Sequence, residues 1–199
     1  MPKVVDHDLR REEIAEAAWR VIAGHGLHAA TVREIASEAR SSTGVLAHYF
    51  RDKDELLLYA LRLATERTAR RMAHRIRGAS EPEALRAVLL EALPLDNERQ
   101  VEWRIWLSFW GYAVSDTLLT REQKKRYAQW RGLVRNLILA CQRQGAIRHG
   151  IAAEEEADSI VALIDGIGIQ ATFEPDRVRP EHQTALVDRY LSRLAKAGD

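Results

Sequence analysis

Hydroxyl, imidazole and phenol groups crowd the stretch TVREIASEARSSTGVLAHYF, residues 31–50, at a spacing suited to hydrogen bonding with nucleic acid. If Thr43 to Tyr49 form a helix that buries Leu46 and Phe50, then Thr43, Val45, Ala47, His48 and Tyr49 face outward. A short helix with small, hydroxyl and aromatic residues at its exposed end fits the major groove of DNA, which admits one α-helix. A second group lies further on. Trp103, Trp106 and Trp110 recur at i, i+3 and i+7, Trp130 leads the next apolar series, and Phe109, Tyr112, Tyr127 and Phe173 are near in sequence. Such a stripe serves either as core or as pocket wall; indole faces with a polar N–H suit the latter and attract quaternary ammonium groups. Glu102, Asp116 and Asp165 are candidate counter-charges for a cationic ligand. Asp165 interrupts the apolar run IVALIDGIGI and must find a partner if buried, either a ligand or a structural hydrogen bond.

Catalytic constellations are missing. No Glu and His stand three apart, and there is no HExxH, phosphate loop or cysteine pair. The histidines at 7, 25, 28, 48, 74, 149 and 182 are scattered. Neither an enzyme nor a cofactor is expected. The single Cys141 falls in the apolar series Trp130, Val134, Leu137, Cys141, which predicts a buried structural thiol.

These groups need helices to hold them, and the sequence supplies start and stop signals. Thr31 with Glu34 forms a capping box before Ile35, Ala36 and Ala39, and Ser42 can cap the helix that follows. Ile14, Ala17, Ala18, Val21 and Ile22 give a stripe for a first helix over about 9–23, closed by Gly24 and Gly26. Asp52 and Glu55 box the start of a long fourth helix ending near Arg77. Further helices are predicted over 81–93, 97–115, 120–144, 154–173 and 180–197, nine in all, separated by turn-rich breaks. On the last two, Ile160, Ile164, Ile167 and Ala171 form one apolar face, and Leu186, Val187, Tyr190, Leu191 and Leu194 another. Gly166 and Gly168 would permit close helix approach. These faces serve either an oligomer interface or the internal core; the spacing of two reading heads, about 34–36 Å, favours a dimer.

Composition agrees with an all-α fold. Five prolines and eleven glycines interrupt long Ala, Leu, Arg and Glu-rich stretches. No run of eighteen apolar residues occurs and the start MPKVVDHDLRREE is no signal peptide, so a cytoplasmic protein is expected. Net charge is only +1, and residues 1–53 hold eight cations against eight acids, so DNA affinity must come from placed contacts. The run 62–77, with six arginines against Glu66, reads as a solvated helix face.

The run from Ile14 to Leu57 resembles the DNA-binding head of the TetR family of transcriptional repressors. The pattern is Thr31, Ile35-Ala36, Ala39, Ser42, Gly44, Leu46, His48-Tyr49-Phe50 and Lys53 with Leu56. The form STGVLAHYFRDKDELL, and later ALPLDNERQVEWRIWLSFW, resemble the BetI-like branch, which includes choline-responsive repressors. Arg40 and Ser41 depart from the family's Gly-Val in the turn; Gly would ease a left-handed residue there.

The resemblance implies a three-helix head over 1–53, with its helix-turn-helix at about 31–50, and a helical ligand-binding and dimerisation bundle over 54–199. It implies base-edge contacts by Arg33, Thr43, Val45 and His48, phosphate contacts by Thr31, Ser42, Tyr49 and Lys53, and close backbone approach at Gly44. In the body it implies a ligand cavity, for which Trp103, Trp106, Trp110, Trp130, Phe173 and Asp165 are the candidates. It also implies a two-fold dimer through Ile160, Ile164, Ile167 and Val187, joined as a four-helix bundle. The expected protein is a homodimeric repressor that leaves operator DNA when a small effector, a candidate cation, enters the body. An architectural or activating DNA binder would share the head but lack the ligand response.

Overall fold

The computed structural model describes residues 7–26 and 30–195. Its elements are α1 (His7–His25), α2 (Val32–Glu38), α3 (Thr43–Tyr49), α4 (Lys53–Ile76), α5 (Glu81–Glu91), α6 (Asn97–Ala113), α7 (Thr117–Arg143), α8 (Ala153–Phe173) and α9 (Pro180–Leu194). Among the described residues there is no strand, and no helix is long and apolar enough to cross a membrane. His28 and the expected tail of the last helix at 196–197 lie outside the described residues.

Local chemistry sets the boundaries. Thr31 and Glu34 form the capping box of α2, the Ser42 hydroxyl accepts from Val45 N at 3.2 Å, and Asp52 accepts from Glu55 N at 2.8 Å. Two helix starts move by two residues or more from the periodicity. α1 begins at His7 instead of Leu9, and α7 begins at Thr117 instead of Thr120 because Asp116 caps it, accepting from Leu119 N at 2.8 Å.

Arg40 occupies the left-handed region at φ 49°. Ser41 N donates to Ala36 O at 2.8 Å and Arg40 N to Ser37 O at 3.0 Å, the two bonds of a Schellman end after α2. A side chain there costs about 1–2 kcal/mol, partly offset because Gly loses more chain entropy on folding. Arg40→Gly is therefore expected to stabilise the protein by roughly 0.5–1 kcal/mol, raising the Tm by about 2 °C in thermal denaturation. A fall in Tm would show that the guanidinium contributes more than the turn costs.

Two main cores result. The head core joins Ile14, Ala18 and Ile22 of α1 with Ile35, Leu46 and Phe50, and takes Leu56, Ala60, Leu63 and Ala64 from the first half of α4. Ile105 of α6 also enters it. The body core joins α5, α7, α8 and α9 through residues such as Val88, Ile138 and Cys141. A small third cluster, Leu61, Phe109, Ala113 and Leu119, lies among α4, α6 and α7.

The body core corrects the expected dimer residues. Ile160, Ile164, Ile167 and Val187 are 0, 2, 4 and 1 % exposed and pack inside the protomer, where α8 lies along α7. Their stripe is the inward one, so they are spent on the internal core. The other side of α8 carries Ala162, Gly166, Ile169 and Phe173 at i, i+4, i+7 and i+11, with Phe173 74 % exposed. Gly168 also serves an internal contact, since a Cβ there would stand 2.1 Å from the Trp103 ring.

Candidate functional site

The head presents a surface built by α2 and α3. Thr31, Arg33, Ser42, Thr43, Gly44, Val45 and His48 are all exposed, while Tyr49 and Lys53 are half-buried. Leu46 and Phe50, at 2 and 4 % exposure, hold α3 against the head core, which aims the remaining residues of that short helix outward. Tyr49 is steadied by two imidazole rings, His7 at 4.8 Å and His48 at 5.2 Å between centroids, the three rings forming one cluster. His7 escaped the sequence reading because nothing local links it to α3.

Ion pairs explain how a neutral head can still meet DNA. Arg10, Arg11, Arg20 and Arg51 pair with Glu13, Glu55, Glu38 and Asp52. Arg33 and Arg40, both exposed, make no ion pair among the described residues. Pairing thus ties down four cations and leaves two projecting from the α2 side.

The body encloses a cavity of about 260 Å³ walled by α4, α6, α7 and α8 and the end of α5. All four candidate tryptophans line it. Trp110 meets Trp103 edge-on at 5.8 Å and stacks with Tyr127 at 6.3 Å. Trp103 is also core: it is 7 % exposed, its Nε1 donates to Ala92 O at 2.9 Å, and its ring covers Gly168. Trp106, Trp110 and Trp130 are half-buried. Phe173 is not part of the wall; it lies exposed at the end of α8, because the stripe it belongs to faces away from α7.

The three proposed counter-charges separate. Asp116 is a helix cap outside this cavity. Glu102 is bound by Arg71 at 2.7 and 2.8 Å, with the Thr68 hydroxyl 3.4 Å away. Asp165 lines the cavity, accepts from the Tyr127 hydroxyl at 2.7 Å, and forms no ion pair among the described residues. Burial pushes its carboxyl above the usual carboxylate range, with the Tyr127 bond pulling the other way. The Tyr127 phenol is raised as well, first by burial and then by Asp165.

Sequence reasoning missed Arg126, which is 9 % exposed on the cavity wall. Its guanidinium lies 5.0 Å over the Trp106 ring, and burial pushes its pKa down to about 10. The signal was present: Arg126 extends the apolar series Trp130, Val134, Leu137, Cys141 one turn back. The α4 arginine run is a set of anchors more than a solvated face. Arg67 pairs with Glu16 of α1, Arg71 with Glu91 and Glu102 of α5 and α6, and Arg62 reaches Glu122 of α7 at 3.8 Å. The next residues of α4 around the run, Thr65, Thr68, Ala69 and Met72, line the cavity. α4 and α6 therefore each touch both the cavity and the head core.

Residues 14–60 match the family of bacterial regulatory proteins described as the tetR family, and residues 82–196 match the BetI-type transcriptional repressor C-terminal domain. The HTH-type transcriptional regulator PksA of Bacillus subtilis (strain 168) is 33% identical over 98% of this chain and 94% of its own length. The BetI regulator of Vibrio atlanticus (strain LGP32) is 30% identical over 97% and 95%. A transcriptional regulator from Rhodococcus sp. Rha1 superposes with a TM-score of 0.84 at 28% identity, covering 95% of this chain and 99% of that one. A regulator from Saccharomonospora viridis, solved in complex with choline, superposes at 0.86 and 27% identity, covering 96% and 100%.

Proposed function

The chain belongs to the TetR family of bacterial regulatory proteins, with a BetI-type C-terminal domain, and from that premise we propose that its effector is a cation seated on Asp165. The protein is a DNA-binding transcriptional repressor that releases its operator on binding a small molecule, and its family is one of regulators, not enzymes. The observation that carries the cationic reading is Asp165: a carboxylate with no ion pair among the described residues, in a cavity walled by indole and phenol rings. A quaternary or protonated amine there gains a counter-charge and the faces of Trp110, Trp130 and Tyr127, worth about 0.5–2 kcal/mol per ring when desolvated. The choline held by the Saccharomonospora viridis regulator supports the same chemistry.

The division of labour we propose is a reading head over 1–53 and an effector and dimer body over 54–199. Arg33, Thr43, Val45 and His48 meet base edges. Thr31, Ser42, Tyr49 and Lys53 position phosphates, and Gly44 lets the backbone approach. An effector can shift the head only by binding its DNA-incompetent arrangement more tightly. Thr65, Thr68 and Met72 give it a direct hold on α4, and α6 carries Trp106 on the cavity side and Ile105 in the head core.

The test is operator release followed with choline and with its neutral tert-butyl analogue. Choline is expected to release DNA at a concentration at least tenfold lower, a difference of about 1.4 kcal/mol. Equal potency removes the cation.

We also place the dimer surface on the outer stripe of α8, Ala162, Gly166, Ile169 and Phe173, and on the half-buried Leu186 and Tyr190 of α9. An exposed phenylalanine continuous with exposed Ala162 and half-buried Gly166 and Ile169 suits a close helix–helix contact between copies. Ile169→Glu should give a monomer with weakened operator binding in sedimentation and binding assays. A wild-type chain that sediments as a monomer at micromolar concentration defeats this placement.

A further inference from the structure

Among the described residues, six buried side-chain nitrogen or oxygen atoms lack a hydrogen-bond partner, and three of them belong to the cavity: Trp110 Nε1, Gln123 Oε1 and Arg126 Nε. A buried donor left unmade costs about 1–3 kcal/mol, so such atoms gathered at one place point to a ligand. The residues that carry the two donors line the same cavity and are linked through Trp106. Trp106, whose ring lies under the Arg126 guanidinium, stands one helical turn from Trp110 on α6.

Arg126 also lacks a well-bonded carboxylate. Its Nη1 donates to the Thr65 hydroxyl, and its nearest acid, Glu122, stands 3.8 Å from Nε and is shared with Arg62 at the same distance. A guanidinium held at 9 % exposure with only a long, shared ion pair to Glu122 is a ready partner for an oxyanion. The cavity thus carries two incompletely paired charges of opposite sign, Arg126 and Asp165, with no ion pair between them. A simple cation would neutralise one and leave the other.

We propose that the Arg126 Nε–H and the Trp110 indole N–H form an oxyanion subsite, and that the effector is a zwitterion whose carboxylate binds there while its amine sits on Asp165. The amine end rests on the cationic reading above; the oxyanion end rests on the unpartnered donors. A zwitterion enters without changing the net charge of the cavity and satisfies donor and acceptor groups together. Gln123 is within the same wall and can take a hydrogen bond from a ligand hydroxyl or ammonium group.

The test is calorimetric titration of the full chain with choline, its neutral tert-butyl analogue and a short series of trimethylammonium carboxylates differing in methylene spacing. The best zwitterion is expected to bind at least tenfold more tightly than choline, as a charge-assisted pair requires. In Arg126→Gln that ratio should fall to within about twofold, with Arg126→Lys restoring part of it. Trp110→Phe removes the N–H together with the five-membered ring, keeps a six-membered aromatic face, and should lower the ratio several-fold. Because the readout is a ratio within each variant, a general loss of affinity does not mimic it. A ratio near one in the wild type, or one unchanged in Arg126→Gln, overturns the subsite. Equal binding of choline and its neutral analogue instead overturns the cationic end, and with it the zwitterion.

Discussion

Arg71→Met is expected to lower the unfolding free energy by about 3 kcal/mol, toward the lower end of the 3–5 kcal/mol seen when a buried ion pair loses one partner. Arg71 bonds Glu91 Oε1 at 2.6 Å and grips both oxygens of Glu102 at 2.7 and 2.8 Å. Both carboxylate side chains are 5% exposed, whereas Arg71 itself is 28% exposed, which is why the lower end applies. Methionine keeps much of the apolar stem but leaves the two acids without their shared cation. Glu91 retains Arg75 and Arg99 at 3.6 and 3.7 Å, so the larger loss falls on Glu102, left with the Thr68 hydroxyl. Adding Glu102→Gln to Arg71→Met should therefore recover part of the loss, a coupling that a double-mutant cycle in urea measures. A single-variant loss below about 1 kcal/mol would mean that water reaches these carboxylates freely. Arg71 also joins α4 to α5 and α6 beside the cavity. The variant should accordingly need a different effector concentration for operator release as well as less denaturant to unfold.

How much of this could be read from sequence depends on the range of the interaction. Thr31 with Glu34, Ser42, and Asp52 with Glu55 act within one helical turn, and each appears as a cap at the expected place. The Arg40 turn was legible for the same reason, since a left-handed residue follows from the local Schellman bonding. The apolar stripe of α8 was legible as a stripe, but periodicity does not name the surface a stripe will meet. Ile160, Ile164 and Ile167 went to α7 and the body core, while Ile169 and Phe173 on the other side stayed outside. Gly168 suggested close helix approach, and the approach exists, but to the Trp103 ring of the same chain. Arg126 and the Arg71 network were hidden because their partners lie 31 to 61 residues away, or 20 for Glu91, on other helices. Charge composition alone made that run look like a solvated face.

Asp165→Asn is expected to separate effector response from the rest of the protein. Asparagine keeps an oxygen for the Tyr127 hydroxyl, so the bond at 2.7 Å and the fold around it should persist, but the counter-charge is gone. Affinity for a trimethylammonium effector should fall at least tenfold, about 1.4 kcal/mol, with operator binding in its absence retained. The stability change has the opposite sign from most polar substitutions. Burial raises the Asp165 carboxyl above its ordinary value, so the folded protein prefers it protonated. The stability it contributes is complete below the ordinary carboxylate value and is lost as pH rises through the raised one; at neutral pH the ionised group is a cost. The variant should therefore match or exceed the wild-type Tm at neutral pH, and that advantage should vanish in acid. Effector binding to the wild type runs the other way, because the cation needs the ionised carboxylate. Its affinity should drop by up to about tenfold per pH unit once pH falls below the raised Asp165 value, whereas the residual binding of the variant should stay flat. A variant that still releases operator at the wild-type choline concentration would show that Asp165 is a structural hydrogen-bond acceptor for Tyr127 and that the cation is held by the rings alone.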